Sequence, residues 1–274
     1  MRAAARFAHV QVLDYGQLAR CADFATLRGV YVHLSGKPQR YELDWCLGRY
    51  FLLRDHFHRE DIDGGWLLDS DFLLLAPLPE STALPPGTRC ALSFSPLENP
   101  LEQHASSHCA YWTREALESF CAFILMIYRD NSASLVTLDK ERRAAGIRSA
   151  ISDMILLGLW ARGAERVFDL FDFVGAGLID HNLRMDMQPR GTRLRMMFGA
   201  KKLIQRHGRV FATASDGQLI AVCGLHFQGG AKMLMADVAA GRWLAFTAKA
   251  AARAGYDWLR LRLRKLKKKF NVSP

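Results

Sequence analysis

The sequence predicts an α/β fold of layered strands and helices. Short apolar runs bounded by turn residues read as strands at 66–75, 90–94 and 218–225. Between and around them, the segments 41–57, 113–128, 149–161 and 243–254 carry apolar residues at helical spacing. Half of the 274 residues are hydrophobic and 23% are charged, enough apolar material for a buried core. Such a length suits one α/β domain with additions, expected over 1–256, followed by a basic tail at 257–274.

Taken in order, the first 36 residues mix apolar and polar runs, and Ala8 to Leu13 and Val30 to Leu34 read as strands joined by turns. Leu43, Cys46, Leu47, Tyr50, Leu53 and Phe57 then fall on one helical face, with Pro38 just ahead of it. Gly64-Gly65 breaks the chain before Trp66-Leu67-Leu68, an Asp-Ser-Asp triplet and Phe72 to Leu75, which together read as a buried strand ending in a polar site. Pro77, Pro79, Pro85 and Pro86 mark a loop, and Cys90 to Phe94 a further strand. Thr113 is placed to cap a helix that has Glu115 in its first turn and Leu117, Phe120, Cys121, Ile124 and Tyr128 on its inner face. A second helix is expected over 149–161, an irregular stretch over 168–195, a strand over 218–225 and a helix over 243–254.

None of the six cysteines forms a CxxC pair, which argues against a zinc ribbon or a disulfide framework and for a reducing, cytoplasmic setting. No signal peptide is read at the N-terminus, and the longest apolar run, 120–128, is too short to span a bilayer. The net charge of +10 is concentrated in seven basic residues between Arg260 and Lys269; without them about +3 remains.

Two motifs carry chemistry. Residues i and i+2 of an extended chain point the same way, so Asp69 and Asp71 can converge on one hard divalent cation; a solvated turn is the plain alternative. The second is Gly224-Leu225-His226-Phe227-Gln228-Gly229-Gly230-Ala231-Lys232, in which a histidine follows a strand, glycines give backbone access and Lys232 supplies a positive charge. A core histidine before an ordinary glycine turn reads the same segment without function.

Together these segments resemble GT-A glycosyltransferases related to family eight. His226, Gly229 and Lys232 are similar to their His-x-x-Gly-x-x-Lys motif, and Leu67-Leu68-Asp69-Ser70-Asp71 to their strand-borne Asp-x-Asp. Val32-His33-Leu34-Ser35, Glu42-Leu43, Arg49-Tyr50-Phe51, Ser107-His108 to Trp112, Glu115-Ala116-Leu117, Phe120-Cys121 and Ser152-Asp153-Met154 extend the likeness to a bacterial group of that class, over about residues 30–235. The resemblance implies a GT-A fold, a Rossmann-like mixed sheet flanked by helices. It implies Mn²⁺ (or Mg²⁺) on Asp69, Asp71 and His226, bridging the phosphates of a UDP-sugar donor. Lys232, Gly229 and Ser70 would serve the donor. Arg49 would touch it or hold a carboxylate in place, and Asp153 would face the donor sugar or the acceptor hydroxyl. His108 and Trp112 would line the side of a saccharide or glycolipid acceptor. Family-eight enzymes retain anomeric configuration. The chain departs from the pattern in two places. No nucleotide-base-binding strand and loop is found before Val30, so an upstream segment is expected to be missing, and Met233-Leu234 stands where Pro-Trp often follows the lysine.

Other clusters read more plainly. His56, His58, Asp61 and Asp63 suit a solvated helix end. His104 and His108 lack the glutamate of a zinc helix, and Asp180-His181-Asn182 suits a turn or cap. In the tail, Leu259, Leu261 and Leu263 alternate with arginines, while Leu263, Leu266 and Phe270 keep helical spacing, so strand and helix both fit. A basic stretch with interleaved leucines suits peripheral contact with an anionic membrane, on its inner face for a cytoplasmic enzyme. Specific nucleic-acid recognition is not expected. The rival to a transferase is a non-catalytic basic protein that binds membranes or nucleic acid through this tail.

Overall fold

The computed structural model describes residues 11–95, 99–147, 151–170, 177–185 and 193–270. The protein is mixed α/β, with seven α-helices among the described residues. It divides into two compact units, each with its own sheet and core: one is built from Ser70–Leu78 and Val174–Pro274, the other from His9–Asp69 and Pro79–Phe173.

In the unit of His9–Asp69 and Pro79–Phe173, the sheet has the order β1 (Gly64–Leu68), β4 (Ala105–Thr113), β3 (Cys90–Phe94), β5 (Val167–Asp169), antiparallel except for the parallel β3/β5 pair. β4 is central, and eight of its nine residues are buried. With both faces covered, its polar residues Ser106, Ser107 and His108 are buried along with the apolar ones, and it shows no alternation. Helix α3 (Arg114–Asp130) starts as the sequence predicts: Thr113 Oγ1 accepts from the Ala116 amide and Glu115 lies in the first turn. Its apolar stripe buries Leu117, Phe120, Cys121 and Ile124 against Trp112 of β4 and Trp160 of α5 (Asp153–Gly163). Gly158 lets α5 approach the sheet, since a Cβ there would lie 3.0 Å from His104 Cα. The expected start of this helix at Ser149 lies outside the described residues.

The N-terminal strands expected before residue 36 are not formed among the described residues; Ala8, His9 and Val10 lie outside them. A 3₁₀ turn at Tyr15–Arg20 and helix α1 (Ala22–Val30) lie between the two expected strand positions. Phe24 and Leu27, one helical turn apart, are the buried face of α1, in the stretch expected to be a connecting turn. Residues 31–35 continue without a strand partner. The helix expected over 41–57 has two parts, a π-helical segment Tyr41–Leu47 and α2 (Gly48–Arg59).

In the other unit, β11 (Leu219–His226) is central. It pairs antiparallel with β10 (Arg209–Thr213) and with β2 (Phe72–Leu74), and parallel with the short β6 (Leu178–Ile179); β9 (Leu203–Arg206) adds to β10. Strands β7 (Met196–Met197) and β8 (Ala200–Lys201) form a separate hairpin. Helix α4 (Ser132–Ala144) belongs to the first-described unit, while α6 (Lys232–Ala239) and α7 (Trp243–Phe270) pack in this one. The tail that fits strand and helix equally in sequence is helical, and α7 runs through position 257 without a break.

Candidate functional site

The register of β2 on β11 builds the first cluster. His226 pairs with Phe72 and Gly224 with Leu74, and the Phe227 amide donates to the Asp71 carbonyl at 2.8 Å. This brings together Asp71 and His226, 155 residues apart in the chain. Gly224 is required for the pairing, because a Cβ there would collide with the Phe72 ring. The strand read from Trp66 to Leu75 is thus two strands, β1 and β2, one in each unit, and the Asp-Ser-Asp triplet is the turn where the chain passes from one to the other.

His226 is buried, with its ring held from one side. Its Nδ1 lies 2.5 Å from the His181 carbonyl oxygen, an acceptor, so Nδ1 carries the proton and donates. That leaves Nε2 facing Asp71 Oδ1 at 3.5 Å, long for a hydrogen bond. Lys232 Nζ reaches the other carboxylate oxygen at 3.0 Å. Burial alone would raise the Asp71 pKa, but the hydrogen bonds and charges of His226 and Lys232 outweigh it and bring it down to about 2. Asp71 is therefore ionised at neutral pH.

These residues fit a divalent ion. An imidazole that donates Nδ1–H to a backbone carbonyl keeps Nε2 for a ligand, and the Nε2 proton that favours the ionised Asp71 would leave as an ion took its place. Two ligand atoms on one ion, each about 2.1–2.2 Å from it, stand roughly 3–3.5 Å apart, the separation seen here. Mixed N and O donors suit Mn²⁺ better than Mg²⁺. Lys232 is exposed and stands at the start of α6, after a 3₁₀ turn, Gly229–Ala231. Gly229 has φ +58° with open space where a Cβ would be, so the exposed backbone at 228–230 is accessible to a ligand. Ser70 is exposed in the turn.

Behind His226 lies a layer the sequence reading places in an ordinary turn or cap. Asp180, His181 and Asn182 are buried beside the end of β11. The Asp180 amide donates to the Gly224 carbonyl and the Leu183 amide to the His226 carbonyl, each at 3.0 Å. Asp180 Oδ2 accepts from the His226 amide at 3.1 Å, and Oδ1 accepts from the fully buried Lys201, which also donates to the Asn182 carbonyl at 2.8 Å. Sequence reasoning missed Lys201 and the part His181 plays. Asp180 followed by two polar residues was the one available signal, and a lone lysine on a two-residue strand carries none.

A second polar cluster forms within the other unit. Arg49 of α2 donates from Nη1 to Asp69 Oδ1 at 2.5 Å, and from Nη2 to Asp153 Oδ2 and Ser107 Oγ at 2.7 Å and to the Tyr50 hydroxyl at 3.0 Å. The Tyr50 hydroxyl also contacts Ser107 Oγ at 2.6 Å. The Asp69 amide donates to the His108 carbonyl at 2.9 Å, extending the β1/β4 ladder by one step. Asp153 opens α5, and its amide donates to Glu42 Oε1 at 3.1 Å while Glu42 Oε2 accepts from Ser35. Burial pushes Asp153 up against the pull of Arg49. It pushes Glu42 up as well, and the neighbouring Asp153 charge adds to that. The guanidinium is thus committed to internal partners, holding Asp69 and Asp153 rather than reaching outward.

His108 and Trp112 are not open to a ligand. Trp112 is fully buried, stacked on Phe120 and Trp160, and His108 is buried with Nδ1 2.9 Å from Ser106 Oγ. Both lie on β4, whose two faces are covered, so the acceptor side expected of them corresponds to core. His56 and His58 contact Gln11 and Glu118, and Arg114 binds Asp61 and Asp63, as a helix end and loop. All six cysteines are free. Comparison with known proteins brings no match: no family model, no curated protein and no solved structure matches this chain.

Proposed function

We propose that the chain is a divalent-metal-dependent glycosyltransferase that moves a hexose from a UDP-sugar to a hydroxyl of a saccharide or lipid-linked saccharide. The observation that carries this reading is the orientation of His226: Nδ1–H is committed to the His181 carbonyl, and Nε2 faces the ionised Asp71. The GT-A resemblance adds Asp69, two residues upstream in the chain, as the other carboxylate of its Asp-x-Asp motif. The ion, when bound, supplies Lewis-acid stabilisation to the departing diphosphate.

The chain's own residues do the rest. Lys232 pairs with Asp71 and is exposed, and with a cation on that carboxylate its ammonium would turn to the diphosphate. Gly229 and Gly230 allow the phosphates to approach the backbone. Asp180 and Lys201 fix His226 through its amide. Arg49 is a positioning residue in this reading, keeping Asp69 and Asp153 in fixed rotamers.

The test is calorimetric titration of UDP with and without Mn²⁺, on the unaltered protein, Asp71→Ala and His226→Ala. Binding that requires the ion and disappears in both variants is the expected result. UDP binding that survives Asp71→Ala, or no UDP binding by the folded protein in the presence of Mn²⁺, overturns it.

A further inference from the structure

Helix α7 changes character along its length. Phe246 and Ala250 are buried in the core of their unit, and Asp257 is tied to Arg184 at 2.6 Å. Beyond that tie, every residue from Trp258 to Leu263 is exposed. Tyr256, Trp258, Leu259, Leu261 and Leu263 each leave more than half of their surface in water. No helix among the described residues is long and apolar enough to cross a membrane.

At about 100° per residue, Tyr256, Leu259 and Leu263 fall within roughly 60° of one another. The centre of that stripe lies about 130° round the helix from Phe246 and Ala250, so it does not continue the core-facing side. By spacing in the sequence, Leu266 and Phe270 extend the stripe and Arg260 and Lys267 flank it, while Arg264, Lys265 and Lys268 share the opposite arc with Trp258 and Leu261. Arg262 lies over the Trp258 ring at 4.5 Å and Arg253 over Tyr256 at 5.4 Å. The helix therefore combines a narrow apolar stripe, aromatic rings with cations on their faces, and seven basic residues in ten.

We propose that the C-terminal half of α7 is a docking element for an anionic lipid surface, lying flat with the Tyr256-Leu259-Leu263 stripe at the acyl boundary and the basic residues among the headgroups. Charge decides between occupants. A second copy of this helix would set seven more positive charges against the first seven. A nucleic acid would satisfy the basic residues but leave the leucines in water. An anionic bilayer answers both, and Trp and Tyr favour its interface. This inference is independent of the transferase reading.

The experiment is flotation of the full chain with vesicles of phosphatidylcholine alone and of phosphatidylcholine mixed with phosphatidylglycerol, alongside retention on a DNA duplex. The unaltered protein is expected to float with the anionic vesicles only, and less so at high salt. The exposed triple variant Arg260→Ser, Arg262→Ser, Arg264→Ser should partition on the order of a hundredfold more weakly. The double variant Leu259→Ser, Leu263→Ser keeps every charge and should still lose at least tenfold. Two results would overturn the proposal: no flotation with anionic vesicles, including the case in which DNA is retained instead, or a leucine variant that floats as well as the parent.

Discussion

Replacing Lys201 with methionine removes one half of a charge pair in which neither side chain is exposed at all. Asp180 would keep its hydrogen bond from the His226 amide but lose the ammonium that neutralises it, deep in the unit that carries β11. Leaving one partner of a buried pair uncompensated costs about 3–5 kcal/mol. Asp180→Asn should cost a similar amount, because the ammonium then keeps only the Asn182 carbonyl and a neutral amide oxygen. In the double variant neither buried charge of the pair remains, and the carboxamide oxygen introduced at position 180 still accepts from the His226 amide. Its cost should fall to about 1–3 kcal/mol, the penalty of an unpartnered amide. The two single losses therefore sum to far more than the double loss, with a coupling energy of roughly 3 kcal/mol or more. Urea denaturation of the four proteins, followed by far-UV circular dichroism, measures that coupling. Losses that add to within about 0.5 kcal/mol would mean the pair contributes nothing as a pair, and the account of how His226 is anchored would fall with it.

Three further outcomes follow from the geometry. Gly224→Ala should destabilise by about 1–3 kcal/mol through overpacking against Phe72 and should weaken Mn²⁺ binding in parallel, read by calorimetry, because the β2/β11 register sets the Asp71–His226 separation. Phe120→Ala, in the stack with Trp112 and Trp160, should cost about 3–5 kcal/mol in a urea melt. Asp71 sits at about 2 in the folded chain against 3.8 ordinarily, so the unfolded chain takes up a proton first as pH falls. The stabilisation, at most about 2 kcal/mol given the exposure of Lys232, is complete above pH 4 and lost on acidification through pH 2. Acid unfolding of Asp71→Asn should lack that component.

Local signals carried much of the architecture. Thr113 and Glu115 marked the start of α3 because capping and first-turn charge act within four residues. The runs at Cys90 and Gln218 marked β3 and β11, since strands this buried are apolar at nearly every position. The N-terminal region misled because the apolar run Val30–Leu34 suits a strand by composition but has no strand partner among the described residues, while α1 forms upstream by burying Phe24 and Leu27.

By itself, then, the sequence determined an α/β layering, an Asp-Ser-Asp triplet between apolar runs, a histidine at the end of a strand with glycines and a lysine after it, and a concentration of positive charge near the C-terminus. Each of these is written in neighbouring residues. Only the tertiary structure decided that Asp71 meets His226, that Lys201 and Asp180 stand behind them, that Arg49 is committed to Asp69 and Asp153, and that Trp112 is core. Those facts depend on strand register and on which faces are covered, quantities that join residues far apart in the chain and leave no trace in local spacing.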